Sequence, residues 1–234
     1  MSDPFAKVRG VRELPLFPLP LVLFPGVPLP LHIFEERYRR LLADARAAHN
    51  VFGLPYFDGP VAGDSRPAVG HVGCVAEIVD AQALPDGRAN ILTVGLVRYR
   101  LESYADEGEP YLVGRVEFFA DEAGEGGSIA ESAREVAGVF RRIAHAVRTL
   151  NDDRAPVPDL PEDDPERLSF LIAAAMEMDD EAKQAMLELR STAERLARLG
   201  RLLAGVVEGY EARARAHGLA RGNGHGGGNV KLDG

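Results

Sequence analysis

Over the first 120 residues, apolar positions fall in short runs, often spaced by two and interrupted by proline or glycine; beyond about residue 128 they recur every three or four. That change of period predicts a β-rich amino-terminal part and a helical remainder. The stretch LPLFPLPLVLFPGVPLPLHIFEERYRRLL, residues 14–42, contains the sharpest switch. Pro15, Pro18, Pro20, Pro25, Pro28 and Pro30 can neither occupy a helix interior nor donate to a central ladder, so this segment must be extended, edge-like or turning. FPGVP at 24–28 is then a turn between two short strands. After Leu31 the spacing becomes helical, with Phe34, Tyr38, Leu41, Leu42, Ala45 and Ala48 on one face and Glu35, Glu36, Arg39, Arg40 and Arg46 largely opposite.

From 51 to 119 the pattern is strand and turn. VFGLPYF is short and bounded by glycine and proline. VGCVAEIVDAQA and NILTVGLVRYRLES are β-branched runs joined by LPDGRA, whose Asp86-Gly87 is a hairpin signal, and YLVGRVEFFA alternates as a half-buried antiparallel strand does. DEAGEGGS is a polar linker. A long helix should follow, with Ser128 and Glu131 as a capping box and Ile129, Ala133, Val136, Phe140, Ile143 and Val147 as its stripe. The acidic, proline-rich 151–166 reads as a solvated connector. Asp164-Pro165, then Asp179 or Asp180, then Ser191 with Glu194 start three further helices. In the last, Leu196, Leu199, Leu203, Val206 and Tyr210 form a seam suited to packing within the helical part or to a partner helix, so a homodimer is compatible with the sequence.

Composition narrows the chemistry. The 234 residues are 46% hydrophobic and 27% charged, as in globular proteins, and 27 basic against 36 acidic residues give a net charge of −9. Neither half hides a cationic excess, so nucleic acid is disfavoured as the main partner. Cys74 has no partner for a disulfide, and MSDPFAKVRG lacks the pattern of a signal peptide; with no apolar run near the length of a membrane span, a cytoplasmic location is expected.

Catalytic signatures are missing from the sequence. There is no GxxxxGK[ST] loop, no HExxH and no GxSxG, and the histidines at 32, 49, 71, 145, 217 and 225 share no ligand-like spacing. Cys74, between Val72 and Val75 in an apolar strand, suits a core better than a nucleophile's setting. Neither an enzyme, a metal nor a cofactor is called for.

Three ordered blocks resemble one family. The 14–42 stretch, with its LPLFPL start, LFPG turn and IFEERY helix entry, is similar to the opening of the Lon N-terminal, or Lon substrate-binding, domain. GCVAEIVDAQALPDGRANILTVGLVRYRL and LSFLIAAAMEMDDEAKQAMLELRSTAERLARL resemble its later blocks, so that the likeness covers about residues 13–203. The resemblance implies an α+β fold, a PUA-like antiparallel β pseudo-barrel over 1–120 with one helix and an α-helical bundle subdomain over 128–217; composition makes 121–127 the linker between them and 218–234 a disordered tail. It also implies a stand-alone protein without the ATPase and Ser-Lys peptidase domains, one that binds unfolded or degron-bearing polypeptides and is compatible with service to a separate protease. Capture needs exposed apolar surface, for which the expected residues are Leu23, Phe24, Pro25, Leu31 and Phe34, with Phe24 and its turn the most exposed. Because PUA-like folds also include nucleic-acid binders, an RNA-binding module is the alternative, against which the −9 charge argues.

Overall fold

The computed structural model describes residues 3–61, 65–105, 108–122, 126–153, 155–156 and 159–223. A 3-10 turn, Pro4–Val8, precedes β1, Glu13–Leu16, and β2, Pro28–Ile33. Then come α1, Glu36–Ala47; β3, Val51–Leu54; β4, Val72–Ala83; β5, Ala89–Ala105; and β6, Leu112–Phe119. The helices α2, Gly126–Leu150; α3, Pro165–Ala175; α4, Asp180–Glu188; and α5, Thr192–Asn223, complete the described chain. It is an α+β fold with a mixed sheet of six strands among the described residues.

The strand order is β2-β5-β4-β3-β1-β6, and β6 also pairs with β5, which closes β5, β4, β3, β1 and β6 into a ring and leaves β2 as an edge on β5. The length of β5 makes this possible. Its first half runs antiparallel to β2 from Pro28↔Val94 to Ile33↔Ala89, and its second half pairs with β6 from Arg98↔Phe119 to Ala105↔Val113. The hairpin between β4 and β5 turns at Gly87, whose φ of +80° is strained for residues with a Cβ.

Two apolar clusters fill this unit. One packs α1, through Tyr38, Leu41, Leu42 and Ala45, onto Phe17, Leu23, Phe52, Leu54, Ile78 and Ile91; the other joins Leu14, Leu16, Val51, Val75, Val97, Tyr99, Leu101 and Val116. Gly95 fixes where the FPG turn sits. Gly26 N donates to Gly95 O at 2.8 Å and Gly95 N to Val27 O at 2.9 Å, and a Cβ at Gly95 would lie 2.8 Å from the Phe24 carbonyl carbon. The turn therefore lies flat on β5, and Phe24 goes inward, 0% exposed, with its ring 6.0 Å from that of Phe170. This overturns the expectation that Phe24 is the exposed residue of the turn. Proline and glycine shape the backbone there, and the backbone turns the ring under.

Arg98 is the buried charge of the unit. It pairs with Asp121, donates to the carbonyls of Leu187 at 2.9 Å and Leu189 at 2.6 Å, and lies between the rings of Phe119 and Phe170. Asp121, the first residue of the expected polar linker, also accepts from Thr192 Oγ1. These bonds explain why one compact unit comprises 1–123 together with 169–192, and the other 124–168 with 193–234. Residues 128–217 are thus divided between the two, and the division passes through α3. Positions 123–125 of the expected linker and 224–234 of the expected tail lie outside the described residues.

In the second unit, Ala133, Val136, Ala137, Ile143 and Ala146 of α2 are buried, as are Leu196, Leu199, Leu203 and Val207 of α5. The seam drifts to Val207 because an unsupercoiled helix repeats at 3.6 residues, which leaves Val206 exposed. Helix α2 begins at Gly126, ahead of Ser128, and α5 continues helical to Asn223, past the expected boundary at 217. Asp179 caps α4 by accepting from Ala182 N at 2.7 Å. Among the described residues no helix is long and apolar enough to cross a membrane.

Two predictions test this packing. Phe24→Ala should cost about 3–5 kcal/mol and Gly95→Ala about 1–3 kcal/mol, read as lower urea midpoints. His71, whose Nε2 is buried without a partner, has its pKa lowered by burial, opposed in part by Glu188. The unfolded chain therefore takes that proton first, and stability should fall as pH drops below the ordinary histidine value of 6.5. Urea midpoints at pH 7.5 and 5.5 should show this slope, and His71→Gln should flatten it.

Candidate functional site

Beyond Leu16 the chain keeps following β3. Phe17 N donates to Gly53 O at 2.8 Å, Leu19 N to Pro55 O at 3.2 Å, and Phe57 N to Leu19 O at 2.8 Å. Residues 17 and 19 thus face β3, and strand alternation turns Pro18 and Pro20 the other way. The same reasoning applies to β2. The bond from Gly95 N to Val27 O sets the parity of the ladder, so Leu29, Leu31 and Ile33 bond with β5 while Pro28, Pro30 and His32 turn to the free edge. Prolines occupy four of the five positions turned away from the neighbouring strand on these two segments, Pro18 buried and Pro20, Pro28 and Pro30 exposed. Both backbone walls are thereby rich in carbonyl acceptors and poor in N–H donors.

Between residues 17–20 and the 31–33 end of β2 opens a cleft of about 290 Å³. Phe17, Ile33 and Tyr38 form its floor; Pro18, Leu19, Pro20 and Leu31 its sides; Gly59, Pro60 and Val61 a further rim. The floor is stiff because the Phe17 ring lies 4.0 Å from that of Tyr38 and 5.9 Å from that of Phe52. Phe34 stands at the mouth, 61% exposed, its ring stacked 6.1 Å from His32. It is exposed because α1 starts only at Glu36, two residues beyond it, so the helical spacing that placed Phe34 with Tyr38 and Leu41 on a buried face does not apply.

The polar groups of the cleft are largely committed. Arg37 Nε and Nη2 each lie 2.9 Å from Glu35 Oε2, Nη1 donates to Val61 O at 3.4 Å, and the guanidinium lies 4.6 Å from the centre of the Tyr38 ring. His32 Nδ1 is 2.7 Å from Asn90 Oδ1. Burial raises the pKa of Tyr38, with Arg37 opposing and Glu35 adding, so its phenol stays neutral. Cys74 is fully buried, and burial pushes its thiol up to about 12, which leaves it no nucleophilic character near neutrality.

Of the residues expected to bind polypeptide, the structure brings Leu31 and Phe34 together at this cleft and places Pro25, half-buried, in the turn docked on β5. Leu23, 2% exposed, and Phe24 belong to the core, a correction with one cause: the turn is bonded flat to the sheet. Pro18, Leu19, Pro20, His32 and Val61 were missed. The even-numbered prolines at 18, 20, 28 and 30 are the signal that could have found most of them, since proline at alternate positions marks one side of a strand as unpaired.

Comparison with known proteins follows the same lines. The family profile described as the ATP-dependent protease La (LON) substrate-binding domain matches residues 13–205. The Lon protease of Roseiflexus castenholzii is 32% identical over 184 residues, which is 78% of this chain and 23% of that protease. Lon protease 2 of Herpetosiphon aurantiacus is 28% identical over 201 residues, 85% of this chain and 24% of its own length. The chain thus spans about a quarter of the length of such relatives. Among solved structures, the Lon N-terminal domain protein from Xanthomonas campestris superimposes with a TM-score of 0.58 at 22% identity, covering 81% of this chain and 97% of that one. The N-terminal domain of Mycobacterium avium complex Lon protease gives 0.57 at 19% identity, covering 82% and 98%. With a profile match over most of its length and a relative above 30% identity, this chain belongs to the Lon substrate-binding domain family.

Proposed function

We propose that this protein is a non-catalytic polypeptide-binding protein that captures unfolded or degron-bearing chains in the cleft between residues 17–20 and β2. The observation that carries the reading is Phe34, a large exposed aromatic at the mouth of an apolar cleft whose floor is already ordered. An exposed ring continuous with an apolar cleft makes a patch of the kind a partner covers. A preformed floor lowers the ordering cost of binding. Family membership supports a substrate-binding role, and captured clients would then be passed to a protease as an adaptor passes them.

The test is fluorescence anisotropy of the purified protein with a chemically unfolded, dye-labelled polypeptide, its native form and a labelled RNA, each at two salt concentrations. Selective, weakly salt-dependent capture of the unfolded chain is expected. Phe34→Ala should weaken it about ten- to a hundredfold, since burying an aromatic side chain contributes about 1.5–3 kcal/mol, with the melting temperature unchanged. Preference for the native form or for RNA, or capture indifferent to Phe34→Ala, would remove this function from the cleft.

A further inference from the structure

We propose that the cleft selects polypeptide segments in which a bulky apolar residue is flanked by arginine or lysine; this rests on the polypeptide-binding reading above and names the clients it favours.

Pro20 on one wall, and Pro28, Pro30 and His32 along the free edge of β2, are exposed with their carbonyls turned outward, and among the described residues no protein donor reaches those oxygens. Three of the four have no N–H to offer in return. A client strand adding to β2 must exchange N–H and C=O at alternate residues, and at Pro28 and Pro30 only half of each exchange can form. Strand addition is therefore weak at this edge.

The side chains continue the bias. The carboxamide oxygen of Asn90 accepts from His32 Nδ1 at 2.7 Å, which holds the ring in place at the mouth of the cleft. Phe34 presents a π face beside it, which attracts cations and repels carboxylates. Arg37 is the one cation lining the cleft among the described residues, and its donors are already directed to Glu35 and to Val61 O. A guanidinium or ammonium arriving with an apolar side chain thus meets carbonyl oxygens and a ring, the Glu35 carboxylate being paired with Arg37. An aspartate or glutamate in the same place meets lone pairs, and the −9 charge of the chain adds to the difference.

Short unstructured peptides, each carrying one Leu-Phe pair and a neutral dye, would be titrated with the full chain. Their flanks would be arginine, citrulline (which keeps the N–H donors without the charge) or aspartate. The arginine peptide should bind at least about tenfold more tightly than the aspartate peptide, with citrulline between them, and Phe34→Ala should abolish the arginine preference. Equal affinities that are lost together on Phe34→Ala would overturn the selectivity and leave polypeptide capture standing. An arginine preference that survives Phe34→Ala unchanged would belong to the overall charge and overturn the assignment to the cleft. Failure of every peptide to bind would sink both readings.

Discussion

The two hydrogen bonds that fasten residues 26 and 27 to Gly95 set the parity of everything on the β2 side of the fold. With Val27 bonded to Gly95, the odd residues of β2 form the ladder and the even ones face out. A slip of one residue would direct Pro28 and Pro30 at β5, where neither can donate, and would turn Leu29, Leu31 and Ile33 from core to solvent. Register is thus specified twice, by the hydrophobic face and by the missing N–H groups. Glycine is required at 95 because the backbone of the turn passes where a Cβ would stand. A turn, a buried aromatic and a donor-poor edge therefore follow from one close approach of main chain to main chain.

Arg98, three residues beyond Gly95 in the GLVRY run, does comparable work farther along the same strand. Burying a guanidinium is costly unless its donors are satisfied, and here a carboxylate and two carbonyls satisfy it. Those carbonyls belong to the end of α4, so the segment after β6 and the segment before α5 are both tied to β5 by a single side chain. Gln184 adds to this by donating to Val72 O at 2.9 Å. The helical residues 169–192 consequently belong with the strands, although nothing in their 3.6-residue spacing distinguishes them from the helices on either side.

That contrast shows what was legible in the sequence. The strands, the Asp86-Gly87 hairpin, the helix starts at Asp164 and Asp179 and the family likeness all rest on local signals, and each was readable. Tertiary choices were not. FPG reads equally well as an exposed turn or as one docked on a sheet, and only the approach to Gly95 decides that Phe24 is buried. Arg98 and Asp121 look like a strand's outer charge and a linker's first acid, because a buried ion pair has no periodicity. At the site, Phe34 and Leu31 were legible as exposed apolar residues beside a proline-rich strand. Leu19 and Val61 were not, since they reach the cleft from segments that the sequence does not connect with it.

A polypeptide-binding surface has to be adhesive to clients and inert to its own copies, and the proline pattern meets both demands at one place. An edge strand with apolar neighbours invites a second edge, and alternating N–H and C=O groups are what make that pairing strong. Replacing the outward N–H at 28 and 30 with proline rings removes the donors and keeps the apolar surface. Pro20 does the same for the opposite wall. On the proposed reading, what remains is adhesion through side chains, together with carbonyl oxygens that favour one polarity of ligand. Capture by such a surface would then depend on the side chains an unfolded chain exposes, because a folded protein that has buried its own apolar residues would offer the cleft little to hold.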